Sequence, residues 1–270
     1  MWLFNLRLFQ LPLTRRLALS IVLWVGWPLS AFAESDCAGC IDLIEVIEGD
    51  SEELTPDDSA GSTSAPPSSV SYFGVAVLDT GVQLQPAMQA PGSVSFVGGD
   101  PLVDYAQQGT HGTAVAQIIL TLAPGSKILS IQTSNGGRSV STSAVYQGLL
   151  HAAADPSIRV INHSNAALTG VPGDAMLAAA AADKVVVMSA GNDWLDNPVG
   201  DALHAPGLGG KGLIVGGLGP DGKMLEFSNR AGAYAGHYVV ALGASEFADY
   251  WGTSFATPRA SALATRLRQT

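Results

Sequence analysis

Six short apolar runs, rich in β-branched residues, recur along the chain at Tyr72–Leu78, Lys127–Ile131, Arg159–Asn162, Val185–Met188, Leu213–Val215 and Tyr238–Leu242. They are almost continuously apolar, which is the pattern of strands covered on both faces rather than half-exposed ones. Between several of them, at Thr113–Leu122, Ser141–Ala154 and Asp174–Ala182, apolar residues return at helical spacing, and a last helix is predicted from about Ser254 to Arg268. Strands alternating with helices predict an α/β domain built on a parallel sheet with helices on both faces. Ligands of such sheets bind outside the carboxyl ends of the strands. Candidate chemistry is therefore sought at strand-to-helix junctions.

The N-terminal part has a different texture. Arg7, Arg15 and Arg16 precede an apolar run from Leu17 to Leu29, and Ala31-Phe32-Ala33 has the small-x-small form of a signal peptidase site. Residues 1–33 read as a cleaved export signal, too short and too interrupted by Pro28 to anchor the chain in a bilayer. Residues 34–69 read as an acidic extension that passes into a Ser/Pro-rich linker, and residues 70–270 as the main domain. Ten acidic side chains and no basic one lie between Glu34 and Asp58. The extension reads as a solvated, dispensable acidic tail. Only Ile41–Ile47 offers apolar surface, and a strand added to the domain's edge or a segment laid across its cleft is the competing reading. The only cysteines, Cys37 and Cys40, stand in the same segment, where a local disulfide is the plain reading. Past the signal the balance is acidic and no basic patch is present, which excludes nucleic acid as a partner. No later segment is long and apolar enough to span a membrane.

Four junctions carry chemistry. VAVLDTG puts Asp79 at the carboxyl end of the first strand, where a carboxylate either caps a turn or orients a base. QGTHGTAVAQII puts His111 at the start of a helix with small neighbours on both sides. VVVMSAGN brings a buried strand into a tight turn that presents the amide of Asn192. GTSFATPRAS puts Ser254 at a loop-to-helix junction, where serine either caps the helix or offers an exposed hydroxyl beside unpaired N–H groups. Pro258 is expected near the first turn of that helix. An acid, a base, an amide and a hydroxyl on one α/β scaffold are the parts of nucleophilic acyl transfer.

These four motifs resemble those of the subtilisin-like serine peptidases (peptidase S8), and EFSNRAG followed by YVVAL resembles a further segment of that family. The resemblance implies a three-layer subtilisin-like fold with a mainly parallel central sheet. It implies Ser254 as nucleophile, His111 as general base and then acid, and Asp79 as the orienting carboxylate. Asn192 would donate to the oxyanion together with the Ser254 backbone N–H. Substrate backbone would bind along two edges, SNGGRS with Gly136 and Gly137 and HSNAA with Ser164, Asn165 and Ala166. For the glycines an ordinary turn is the competing reading. The partner implied is a protein or peptide substrate of a monomeric, exported enzyme, secreted or periplasmic. No catalytic cofactor is implied. Relatives commonly carry structural calcium, and no ligand cluster in the sequence assigns a site for it.

The sequence departs from the family pattern in four places. Asn165 and Ala166 replace the usual Leu and Gly of the second edge. Residues 34–71 are too few for the folded pro-domain that typically assists folding, the chain stops soon after the nucleophile helix, and Leu242-Gly243-Ala244 lacks a proline usual there. A subtilisin-fold binding or regulatory protein with little turnover is the alternative reading. An esterase is disfavoured, because the G-x-S-x-G elbow is absent.

Overall fold

Strand β2 (Gly74–Asp79) shows how the sheet is buried. Its residues point alternately to opposite faces. Val75 and Val77 join one apolar core with Val115, Ile119 and Phe255, while Ala76 and Leu78 join a second with Val145, Leu149 and Met176. The computed structural model describes residues 41–42, 72–106, 110–136, 140–165, 170, 173–247 and 250–269. All of them belong to the unit Asp36–Thr270. The predicted signal, the Cys37/Cys40 pair and most of the acidic extension lie outside the described residues.

The remaining strands are β1 (Ile41–Asp42), β3 (Val94–Ser95), β4 (Lys127–Gln132), β5 (Ile158–His163), β6 (Val185–Ser189), β7 (Gly212–Leu218) and β8 (Tyr238–Leu242). Among the described residues, the strands form one eight-stranded sheet in the order β1-β8-β7-β6-β5-β2-β4-β3. Every pairing is parallel. Strand β1 lies in the extension and pairs at the edge, with Ile41 opposite Val239 and Asp42 opposite Val240. Strand β2 is flanked by β4 on one side and β5 on the other, so the chain order reverses there. In open α/β sheets such a reversal marks where ligands bind, outside the carboxyl ends of the strands.

Helices α1 (His111–Leu122) and α4 (Thr253–Leu267) pack on each other over one face, and α2 (Thr142–Ala154) and α3 (Gly173–Ala181) pair over the other. Leu78, Ile119, Ile131, Leu149 and Ile161 are fully buried between the layers. Each contributes about 1.5–3 kcal/mol of transfer free energy.

One local expectation is corrected. Pro258 lies inside α4 and not in its first turn, since the helix already begins at Thr253. Its missing N–H leaves the Ser254 carbonyl without an intrahelical partner. The carbonyls on either side are taken by side chains: the Thr257 hydroxyl donates to Thr253 O at 2.7 Å and the Arg259 guanidinium to Phe255 O at 2.9 Å. These bonds offset part of the cost of the proline.

Candidate active site

Asp79 closes β2 with its backbone pinned, because the N–H groups of Thr133 and Ser134 donate to its carbonyl at 2.9 and 3.3 Å. Its side chain is completely buried. Oδ1 accepts from the Thr80 N–H at 2.8 Å and meets His111 Nδ1 at 2.7 Å. Oδ2 is buried with no partner among the described residues. A carboxylate facing Nδ1 fixes the tautomer: Nδ1 carries the proton and donates, leaving Nε2 as a free base.

His111 is the first residue of α1, so a helix N-terminus and an imidazole arrive together. Gly112 allows the approach, since a Cβ there would overlap the Gly81 carbonyl oxygen and come within 3.1 Å of Asp79 Cβ. Thr110 caps nothing with its side chain. The helix is capped instead by Asp104, whose Oδ2 accepts from Thr113 N–H at 2.7 Å, and by Thr80, whose hydroxyl accepts from Gly112 N–H at 3.2 Å. The same hydroxyl donates to Asp104 Oδ1 at 2.7 Å. Two carboxylates thus converge on the start of α1, where the helix dipole favours negative charge.

That convergence sets the basicity of His111. Burial pulls its pKa down, but the charge of Asp79 and its hydrogen bond outweigh this, the charge of Asp104 adds to them, and the net shift is upward. Aromatic rings complete its surroundings: Tyr250 stacks at 6.2 Å between ring centroids and Phe255 lies at 5.5 Å. Burial, with the Asp79 and Asp104 charges adding to it, pushes the Tyr250 phenol up to about 12, so it stays neutral beside the imidazole. A base must be deprotonated to act. Removing the Asp104 charge lowers the His111 pKa and frees the base at lower pH. Asp104→Asn, which keeps an acceptor for Thr113 N–H, is therefore expected to move the acid limb of the kcat/KM profile to lower pH. An unmoved limb, or one displaced upward, contradicts this reading of Asp104.

Ser254 is the second residue of α4; the cap position belongs to Gly252. Its hydroxyl donates to Ser164 O at 2.9 Å, and it makes no hydrogen bond to His111 in this structure. Thr253, between them in sequence, is buried and aims both its N–H and its hydroxyl at Asn192 Oδ1, at 3.0 and 3.1 Å. Two donors on one oxygen assign the amide orientation and turn the Asn192 NH2 group away from Thr253. A Cβ at Gly252 would lie 3.5 Å from Asn192 Nδ2, an ordinary contact. Packing therefore leaves room for a Cβ at Gly252, directly beside the Asn192 amide.

The substrate-edge candidates divide. Gly137 and Ala166 lie outside the described residues. Gly136 has φ +79°, and a Cβ on it would overlap Tyr105 O, so packing against residues 105–106 already accounts for this glycine. Asn165 is half-buried just after β5. Ser164 is buried, and its carbonyl also accepts from the Ser189 hydroxyl at 3.3 Å. Its own hydroxyl accepts from Asn162 Nδ2 at 2.9 Å, while Asn162 Oδ1 accepts from Ser261 of α4 at 2.8 Å. The ends of β5, β6 and α4 are thereby tied together around Ser254. Sequence reasoning passed over Asp104 and Tyr250, which stand in no recognisable motif. It also missed the anchoring role of Thr253, although that residue lies inside one.

The sheet order, with this chemistry at the carboxyl ends of β2, β5 and β6, is the architecture of a serine-type endopeptidase. The sequence model of the subtilase family, peptidase S8, matches residues 72–270, and the chain belongs to that family. Among solved structures, a cold adapted subtilisin-like serine proteinase is similar at 24% identity and TM-score 0.57, over 73% of this chain and 75% of that one. The protease domain of PatA is similar at 23% identity and TM-score 0.59, over 73% and 81% of the two chains. MycP1 from Mycobacterium smegmatis is similar at 23% identity and TM-score 0.55, over 73% and 68%. At such identities these are likenesses of fold. No curated protein matches the chain.

Proposed function

We propose that the protein is an exported endopeptidase in which Asp79, His111 and Ser254 form the catalytic triad and Asn192 supplies the oxyanion donor. The observation that carries this is the 2.7 Å bond from His111 Nδ1 to a fully buried Asp79, with the imidazole 5.5 Å from the ring of Phe255, the residue next to Ser254. For the reaction the Ser254 hydroxyl leaves Ser164 O and donates to His111 Nε2. The oxygen then attacks the peptide carbonyl as Nε2 accepts its proton, and Asp79 stabilises the imidazolium. Charge develops on the carbonyl oxygen, where Asn192 Nδ2 and the Ser254 N–H donate; the latter belongs to a first helical turn whose N–H groups lack intrahelical acceptors. The imidazolium returns its proton to the leaving amine, and water repeats the sequence on the acyl-enzyme. Among the described residues no group of three or more His, Cys, Asp or Glu side chains converges to hold a metal ion.

One observation favours the alternative, a subtilisin-fold binding protein: the Ser254 hydroxyl rests on Ser164 O rather than on the base. Catalytic hydrogen bonds are often absent until substrate arrives. Incubation with an unstructured polypeptide, followed by mass spectrometry of new termini, separates the readings. Internal cuts that disappear in Ser254→Ala support the peptidase, and binding without cuts supports the alternative.

Export rests on the sequence of residues 1–33; among the described residues no helix is long and apolar enough to cross a membrane. The secreted or periplasmic protein is expected to begin at Glu34, after Ala31-Phe32-Ala33. N-terminal sequencing checks this, and a product that retains Trp2 or Leu3 contradicts it.

A further inference from the structure

The turn after β6 that carries Asn192 is built around one buried side chain from a distant part of the chain, Asn229. This residue has no exposed surface, and its amide spends every polar atom on residues 190–195. Oδ1 accepts from the N–H groups of Asp193 and Leu195 at 2.9 and 3.1 Å. Nδ2 donates to Ala190 O at 3.0 Å and to Asp193 Oδ2 at 3.2 Å. The Asn229 backbone N–H donates to Gly191 O at 3.0 Å. Partners of opposite kind at the two ends leave only one orientation of the amide.

Two backbone features show that the turn is shaped to this side chain. Gly191 has φ +103°, and a Cβ there would overlap Asn229 Nδ2. Trp194 holds φ +56°, an unfavourable conformation for a bulky residue, while its side chain is 70% exposed. Little of the compensation comes from burying that indole. The two N–H groups flanking Trp194 are those that converge on Asn229 Oδ1, so the left-handed turn is stabilised from below by the asparagine. Asn192 sits between Gly191 and Asp193, both of which touch Asn229, and its side-chain oxygen is held from the other direction by Thr253.

We propose that Asn229 is a positioning residue for catalysis, acting through Asn192: it fixes the backbone of the turn so that the Asn192 NH2 group is already aimed when the oxyanion forms. This rests on the reading of Asn192 as oxyanion donor. Preorganised donors act because nothing has to move as charge develops, and a displacement on the order of 1 Å forfeits much of the effect. Asn229→Asp keeps the shape and the acceptor for Asp193 and Leu195 N–H. It removes the donor to Ala190 O and sets a carboxylate against that of Asp193.

The test is a double-mutant cycle on peptide hydrolysis by the full chain, with kcat and KM measured for the wild type, Asn229→Asp, Asn192→Ala and the double variant. Asn229→Asp is expected to lower kcat about 10- to 100-fold, with KM within about twofold. In the Asn192→Ala background it is expected to cost less than about twofold, because the group it positions is gone. An equal kcat loss in both backgrounds marks a merely structural residue and overturns the proposal. If Asn192→Ala alone costs nothing in kcat, the oxyanion reading has failed, which is a separate result. Should Asn229→Asp not fold, the exchanged pair Asn229→Asp with Asp193→Asn relieves the repulsion, and the cycle is run with that pair and judged by the same outcomes.

Discussion

Ser254→Ala is expected to abolish peptide hydrolysis in a protein that still folds. Ser254 is half-buried and its hydroxyl makes one hydrogen bond, to Ser164 O at 2.9 Å, so its loss costs stability only about 1 kcal/mol. Chemistry loses its nucleophile. His111→Ala is expected to cost about as much and to add little to Ser254→Ala, because the two act as one unit. The loss in kcat is on the order of 10⁶, a magnitude known from subtilisin itself and not drawn from this structure. Turnover by His111→Ala within a few-fold of wild type would contradict the triad.

Asn192→Ala is expected to lower kcat by about 10²–10³ with little change in KM, again a magnitude known from subtilisin. The reason for the split is that, in the proposed role, its amide meets charge that exists only in the transition state. The structure adds a second effect: Asn192 Oδ1 is the acceptor for both the N–H and the hydroxyl of buried Thr253. Truncation strands those donors and is expected to cost about 1–3 kcal/mol of stability. Asn192→Asp keeps the acceptor but replaces the donor with a carboxylate. It is expected to lose kcat while melting closer to wild type. A variant at Asn192 with raised KM and unchanged kcat would make the residue a substrate contact instead.

Strands β2 and β4 to β8 were legible because each is buried on both faces and so reads as a nearly unbroken apolar run. Strand β3 and the 3-10 segment Gly200–Leu208 gave no such signal: β3 is two half-buried residues, and the segment contains Pro206 and several glycines. The residues of the proposed site, Asp79, His111, Asn192 and Ser254, each stand in a short motif at a turn or helix start, so the sequence alone singles them out. Their support was illegible where it crosses the chain. Asp104 meets α1 at Thr113, nine residues on, and Asn229 meets the Asn192 turn from more than thirty residues away; EFSNRAG is recognisable as a segment, but local spacing does not reveal what its asparagine holds. Pro258 lies deeper than a first-turn proline, as the sixth residue of a helix that begins at Thr253, where the Thr257 and Arg259 side chains take up neighbouring carbonyls.

The most direct measurement is the reaction of the mature protein with a fluorophosphonate, followed by peptide mapping. A hydroxyl activated by His111 and seated beside oxyanion donors attacks such a phosphorus, which then stays bound as a tetrahedral ester. The predicted result is a single phosphonyl adduct on the peptide containing Ser254, absent from Ser254→Ala and nearly absent from His111→Ala. A folded protein that forms no adduct, or forms it equally well without His111, would contradict the triad.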